Sequence, residues 1–219
     1  MIRKFRMPLK EITVFMLLLV LALPCAGGAE VVGRTADGYI HRYTADNGQE
    51  IYFASTAEET LVETDQDVNF DGYPDLAVVT VLGASNVWYE FYLWNGSEYA
   101  FAERWTGDII NYELAGGKYV LSRSNDGSAG MLFHAQICVW DGDILKPFRT
   151  MVAEEEETVA WEDGVMTQTL NTNRLHVILR EQEDGPAGAD EILWEKTYEP
   201  FPEDAGVFDE MEAHLWEGL

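Results

Sequence analysis

The chain has 219 residues, of which 39 are acidic and 14 basic, so its net charge at pH 7 is −25. This charge makes nucleic acid and anionic membrane surfaces poor partners, and it favours basic proteins and divalent cations. The alternative is that the acidic surface serves only to keep the protein soluble, and the composition is compatible with either role.

The first 29 residues have the layout of a secretory signal peptide. Four basic residues precede an uninterrupted apolar stretch at 12–23, which is too short to span a bilayer, and small residues follow up to Ala29. Cleavage after Ala29 predicts an exported chain, in the periplasm, the cell envelope or the medium, with no membrane span. Its net charge would be −28, because the leader carries four basic residues and one acidic residue. Lipidation at Cys25 is the alternative, and Pro24 directly before the cysteine fits that signal poorly.

Residues 30–203 predict one all-β domain. Aromatic and β-branched residues come in short alternating runs that are separated by turn signals. Hairpins are predicted to turn at Asn47-Gly48, Asn95-Gly96, Asp141-Gly142 and Asp163-Gly164, and across a loop at 183–190. Removal of the leader leaves Cys138 without a second cysteine, so disulfides are not expected to hold the fold together.

A weak internal repeat refines the fold class. The stretch around Trp94 is echoed around Trp140, with a third variant at Trp161, and a period of about 45 residues is that of a four-stranded propeller blade. Two or three copies cannot close a propeller. The prediction is therefore a twisted antiparallel sheet or a sandwich of blade-like units.

Residues 204–219 predict a C-terminal tail or a short helix. Asp204 is a possible helix cap. Four apolar residues after it fall on one helical stripe: Val207, Phe208, Met211 and Leu215.

The stretch DQDVNFDGYPDL, residues 65–76, predicts a calcium loop. Asp67, Asn69, Asp71 and Asp75 supply hard side-chain oxygens, Tyr73 offers its backbone carbonyl, and Gly72 allows a sharp turn. Carboxylates crowded into one turn repel one another, and a bound Ca²⁺ would remove that repulsion. Asp65 is either a further ligand or a nearby charge.

The stretch does not fit an EF-hand, although it does fit a metal-free turn. An EF-hand requires a bidentate carboxylate at the twelfth loop position, and that position is Val78. An Asx-rich turn that binds no metal remains the alternative. A strand is expected directly after the loop, from Leu76 to Leu82.

These residues carry a resemblance to known families. DVNFDGYPDL resembles the calcium-binding motif of integrin α-like propeller repeats, of the FG-GAP type. Together with the residues up to about 150, it is similar to a bacterial exported family related to periplasmic inhibitors of invertebrate-type lysozyme. The resemblance implies an all-β, blade-like sheet and a protruding loop that enters the cleft of a basic, lysozyme-like hydrolase.

The loop that would correspond here is SNDGSAG, residues 124–130. Ser124 and Ser128 would hydrogen-bond to catalytic carboxylates, while Gly127 and Gly130 would let the backbone approach closely. Asp126 departs from this logic, since a carboxylate near two acids is repelled unless it faces a basic rim. A flexible hairpin loop with no inhibitory role is the alternative.

No catalytic constellation emerges, so the protein is expected not to be an enzyme. The four histidines lack metal-ligand spacing, and there is no nucleophile elbow or phosphate-binding loop. The alternative function is a cell-surface carbohydrate-binding or adhesion module. Its sugar platform would consist of tryptophans that otherwise fill the core: Trp88, Trp94, Trp140 and Trp161.

Overall fold

The computed structural model describes residues 27–104, 107–127, 132–162, 165–182, 191–199, 202 and 206–219 and, for 156–173, the backbone alone. These residues confirm the all-β prediction, with three sheets and one helix near the C-terminus. Among them, no helix has the length and apolarity needed to cross a bilayer.

The strands form sheets of three, six and seven strands. The three-stranded sheet contains β2 (Glu30–Arg34), β3 (Tyr39–Thr44) and β4 (Glu50–Ser55). The six-stranded sheet contains β1 (Gly27–Gly28), β5 (Leu61–Gln66), β6 (Asp75–Leu82), β7 (Val87–Trp94) and β10 (Ile109–Ile110) in that order, with β8 (Tyr99–Phe101) paired to β7. The seven-stranded sheet contains β11 (Glu113–Ala115), β12 (Tyr119–Gly127), β13 (Leu132–Asp141), β14 (Ile144–Glu162), β15 (Val165–Glu181) and β16 (Glu191–Tyr198), with β9 (Glu103–Arg104) parallel to β14.

The predicted hairpins are confirmed. Gly48, Gly96 and Gly142 have φ values of 84°, 94° and 61°, which is the left-handed backbone that tight turns require. Strands β14 and β15 pair on either side of residues 163–164, and β15 and β16 pair across 183–190. Both of those connections lie outside the described residues.

The sheets stack as a sandwich in which the six-stranded sheet is covered on both faces. Leu76 of β6 packs with Ile51 from the three-stranded sheet. Ala77, on the opposite face of β6, belongs to a cluster with Val120 and Cys138 from the seven-stranded sheet. Five consecutive buried residues at 75–79 are typical of such a doubly covered strand. The sandwich form of the prediction is therefore the one observed.

A helix covers the other face of the seven-stranded sheet. Helix α1 (Gly206–Trp216) buries Met211 and Leu215, with Val207 and Phe208 half-buried beside them. The predicted stripe is confirmed, whereas the predicted cap Asp204 lies outside the described residues.

The predicted end of the leader adjoins the six-stranded sheet. Gly27 and Gly28 pair with Val62 and Leu61 of β5, and Ala29 packs against the cluster beneath the three-stranded sheet. Cleavage after Ala29 stays a prediction, and it would remove this short edge strand.

Candidate metal loop and partner-binding hairpin

The acidic loop is the connection between β5 and β6. Gln66 pairs with Asp75 across its base, so residues 67–74 form an excursion from an antiparallel hairpin. The predicted strand after the loop is confirmed, and it begins one residue earlier, at Asp75.

Inside the loop, side-chain oxygens accept hydrogen bonds from the backbone. The carboxylate of Asp67 accepts from the amides of Asp71 and Gly72, at 3.0 and 2.9 Å. The carboxylate of Asp71 accepts from the amide of Tyr73 at 2.9 Å. Gly72 has a φ of 92°, and Phe70 has a φ of 62°, which is uncommon for a bulky residue. The loop is thus an ordered turn held by its own acidic side chains.

Asp75 differs from the other acidic residues because it is fully buried. One carboxylate oxygen accepts from the amides of Val68 and Asn69 at 3.0 and 3.4 Å, and the other accepts from the amide of Trp94 at 2.8 Å. Burial raises the pKa of the Asp75 carboxyl to about 6, even though these backbone donors oppose the shift. Asp75 therefore joins the loop to β7.

The residue types of the loop suit a hard cation, but their present arrangement does not form a coordination site. Asp67, Asn69 and Asp71 lie close enough to share hydrogen bonds, including one of 3.1 Å from the Asn69 amide to the Asp71 carboxylate. Across the described ranges, however, no group of three or more His, Cys, Asp or Glu side chains is gathered closely enough to hold a metal ion. The oxygens of Asp75 are directed to backbone amides. A bound ion would have to draw Asp75 into its coordination.

Asp65 takes no part in the loop network described above. Its carboxylate accepts from the side-chain amide of Gln66 at 3.0 Å. Sequence spacing left its role open, and the structure places it on β5, before the loop begins.

A contact that the sequence did not predict fastens the loop to the seven-stranded sheet. The indole N–H of Trp140, at the end of β13, donates to the carbonyl of Val68 at 2.6 Å. Val68 is fully buried in the cluster between the two large sheets. Trp140 is therefore an anchor of the loop. The signal in the sequence for this contact is weak: an indole N–H that is half-buried needs a hydrogen-bond acceptor.

The candidate inhibitory hairpin is only partly a loop. Strand β12 continues to Gly127 and pairs with β13, whose described part begins at Leu132. Ser124 is 8% exposed and its hydroxyl is hydrogen-bonded to the backbone of His134. Ser124 thus lies within the paired strand and not in the loop, and a contact between Ser124 and a partner's carboxylates stays a prediction.

The other residues of the predicted inhibitory loop are Asp126, Gly127, Ser128 and Gly130. Asp126 is exposed and Gly127 is paired with Leu132, next to a register shift. Ser128 and Gly130 lie outside the described residues. The tip that could meet a partner is therefore shorter than the sequence suggested.

A network of three asparagines fixes the base of this hairpin. The side chain of Asn86 accepts from the backbone amide of Asn125 at 2.8 Å and donates to its carbonyl at 3.2 Å. The side-chain amide of Asn111 donates to Asn86 and to the carbonyl of Arg123, at 3.1 and 3.0 Å. These links tie β12 to the β6–β7 connection. Sequence reasoning missed them because the partners are 12 to 39 positions apart.

The described tryptophans that were nominated as a sugar platform are not fully exposed. Trp88, Trp94 and Trp140 are all half-buried, and Trp94 packs against Tyr99 with ring centroids 4.9 Å apart. The side chain of Trp161 lies outside the described part of the chain. The described tryptophans fit the packing interpretation.

Comparisons with protein-family models, with curated proteins and with solved structures find no significant match. The resemblance carried by residues 65–150 therefore stays a hypothesis that rests on its motifs.

Proposed function

We propose that this is an exported, calcium-stabilised β-sandwich without catalytic activity, which binds and inhibits a basic, lysozyme-like hydrolase. The observation that carries the proposal is the acidic loop itself, an ordered turn that holds Asp67, Asn69 and Asp71 together beside the buried Asp75. Bound Ca²⁺ would take the carboxylates of the three aspartates, the Asn69 side-chain oxygen and the Tyr73 carbonyl, and it would neutralise their mutual repulsion.

The first test is the effect of calcium on thermal stability. Extracellular calcium loops bind with Kd values of about 0.1–1 mM. Free Ca²⁺ at about ten times Kd stabilises the folded state by about 1.4 kcal/mol, which raises Tm by about 3–6 °C for a domain of this size. Asp71→Ala should remove this increase, because it deletes one carboxylate ligand. Calorimetric scans with calcium and with chelator measure it.

The matched control is Asp143→Ala. Asp143 is exposed in the turn between β13 and β14 and lies outside the acidic loop. The control should keep the calcium-dependent rise in Tm. Equal melting temperatures of the wild-type protein with calcium and with chelator would mean that the loop is a metal-free turn.

Two features support a protein partner at the β12–β13 hairpin. The hairpin base is rigidly attached through Asn86 and Asn111, so its tip is presented on a fixed support. The tip sequence is small and polar. The net charge, −25 for the full chain and −28 after the predicted cleavage, would steer a basic partner towards the protein, most strongly at low salt.

The second test is inhibition of lysozymes of several types acting on cell walls. The wild-type protein should slow at least one of them at low salt and with calcium present. Ser128→Tyr should raise the inhibition constant at least about tenfold, since a bulky ring blocks a close backbone approach and a loss of 1.4 kcal/mol is a factor of ten. Ser97→Tyr, in the exposed β7–β8 turn, is the matched control and should inhibit like the wild type.

Higher salt should weaken the inhibition, because the Debye length falls from about 30 Å at 0.01 M to about 3 Å at 1 M. If no lysozyme type is slowed at low salt, the inhibitor proposal fails. If Ser97→Tyr and Ser128→Tyr inhibit equally well, the hairpin is not the contact surface.

A further inference from the structure

An open groove of about 440 Å³ lies where the acidic loop meets the seven-stranded sheet. Residues of the loop form one side, and the β11–β12 turn and the ends of β13 and β14 form the other. Ligand sites in proteins are typically about 300–1,000 Å³. The groove is thus large enough for a short saccharide and is separate from the inhibitory hairpin.

Four of the eight described residues that line the groove are aromatic. Phe70, Trp140 and Phe148 are half-buried, so each ring keeps an exposed part, and Tyr119 lies beneath them at 7% exposure. The C–H face of a pyranose ring packs on an aromatic face by dispersion and by attraction to the negative π-cloud. The walls therefore suit a sugar ring.

A sequence feature explains why Phe148 lines the groove. Pro147 lies inside β14, where it cannot donate a ladder hydrogen bond. The strand is bulged there: Cys138 pairs with Pro147 and Ile137 with Arg149, so that Phe148 has no partner in the register. A bulge re-aims the side chain of its extra residue. Here the extra residue, Phe148, lines the groove and also packs against the core cluster beneath helix α1.

The polar groups of the groove select for charge. Asn69 and Lys118 both line it, and the ammonium of Lys118 lies 4.3 Å from the centroid of the Tyr119 ring. None of the described residues that line the groove is acidic, although 39 of the 219 residues of the chain are. A cationic ligand would meet Lys118, and a polyanion would be repelled by the net charge of the protein. The complementary ligand has hydroxyl groups and a single negative charge.

We propose that this groove binds a short saccharide that carries a single carboxylate group. Sugar rings stack on Phe70 and Trp140, and Lys118 pairs with the carboxylate. The site does not depend on the hydrolase partner.

The groove is also coupled to the acidic loop. Phe70 belongs to the loop and is held at a φ of 62°. Val68, two residues earlier, is fastened to Trp140 by the indole hydrogen bond. The loop that carries Phe70 is therefore attached to the opposite wall of the groove through Trp140.

The test is isothermal titration of the full chain with cellobiouronic acid, a disaccharide that carries one carboxylate, and separately with the matched neutral disaccharide cellobiose. The wild-type protein should bind the acidic sugar at least tenfold more tightly than the neutral one. Phe70→Asn should weaken binding of the acidic sugar at least tenfold, because asparagine tolerates the left-handed backbone but removes the ring. Lys118→Ala should reduce the preference for the acidic sugar to less than threefold.

Arg34→Ala is the matched control for charge. Arg34 is an exposed cation of the three-stranded sheet, outside the groove, so this variant should bind both sugars like the wild type. The proposal is overturned if the wild type binds neither sugar, if it binds both equally, or if Arg34→Ala and Lys118→Ala have the same effect. Lys118 is exposed in a turn, so Lys118→Ala should leave the folding of the protein unchanged and alter only the groove.

Discussion

Asp75→Ala is expected to destabilise the protein by about 2–3 kcal/mol at pH 7.5 in the presence of chelator. The substitution leaves the buried amides of Val68, Asn69 and Trp94 without an acceptor, at about 1–3 kcal/mol for each lost partner. It also removes a buried ionised carboxylate, whose raised pKa of about 6 corresponds to about 3 kcal/mol. The unsatisfied amides are the larger effect, so the net change is a loss of stability.

The same substitution should cost more in acid. The folded-state pKa of Asp75, about 6, lies above the ordinary value of 3.8, so the folded state takes up this proton first. The stability that Asp75 contributes therefore rises as the pH falls from about 7 to about 4, and it is lost as the pH rises through 6. The destabilisation by Asp75→Ala should be about 1.4 kcal/mol larger at pH 5 than at pH 7.5.

Urea denaturation at the two pH values measures this difference. Asp71→Ala is the control, because Asp71 is exposed and its bonds stay within the loop. With chelator it should cost less than about 1 kcal/mol at either pH. Equal losses for the two variants, or a loss for Asp75→Ala that does not change with pH, would mean that Asp75 does not anchor the loop.

The local structure could be predicted from the sequence because its signals are local. Asn-Gly and Asp-Gly pairs fix the turns through glycine's left-handed backbone, as at Gly48 and Gly142, and alternation fixes the strands between them. The apolar stripe through Met211 and Leu215 placed the helix for the same reason. The turn between β5 and β6 was also located by its local residues, whereas calcium binding there stays a prediction.

The contacts between distant segments could not be predicted. Trp140 and Val68 are 72 positions apart, and nothing in either segment indicates that the sheets stack with one against the other. The burial of Ser124 depends on where β12 ends, and pairing with His134 extends that strand past the predicted loop boundary. Strand ends and sheet stacking are set by tertiary packing, which a single sequence does not encode in any short pattern.

The other large effect is expected at the attachment of helix α1. Arg149 is 5% exposed, and its guanidinium donates to the carbonyls of Leu215 and Glu217, at 3.0 and 2.9 Å, at the end of the helix. It also donates twice to the carboxylate of Glu181 on β15, at 2.6 and 3.2 Å. One buried cation thus satisfies the helix C-terminus and links it to the seven-stranded sheet.

Arg149→Ala is expected to destabilise the protein by about 3–4 kcal/mol, because it leaves Glu181 and two carbonyls without their partner in a partly dry environment. Loss of the helix attachment should also speed amide exchange in α1 more than in β6, as hydrogen-exchange mass spectrometry would show.

Arg42→Ala is the control. It breaks half-exposed ion pairs with Glu30 and Glu50 and should cost only about 0.5–1 kcal/mol. Because the buried Arg149 pairs with the partly exposed Glu181, Glu181→Gln should remove part of the same energy, and the double variant should lose at least about 1 kcal/mol less than the sum of the two single losses. Additive losses, or uniform exchange rates in α1 and β6, would show that the helix is held by its apolar contacts alone.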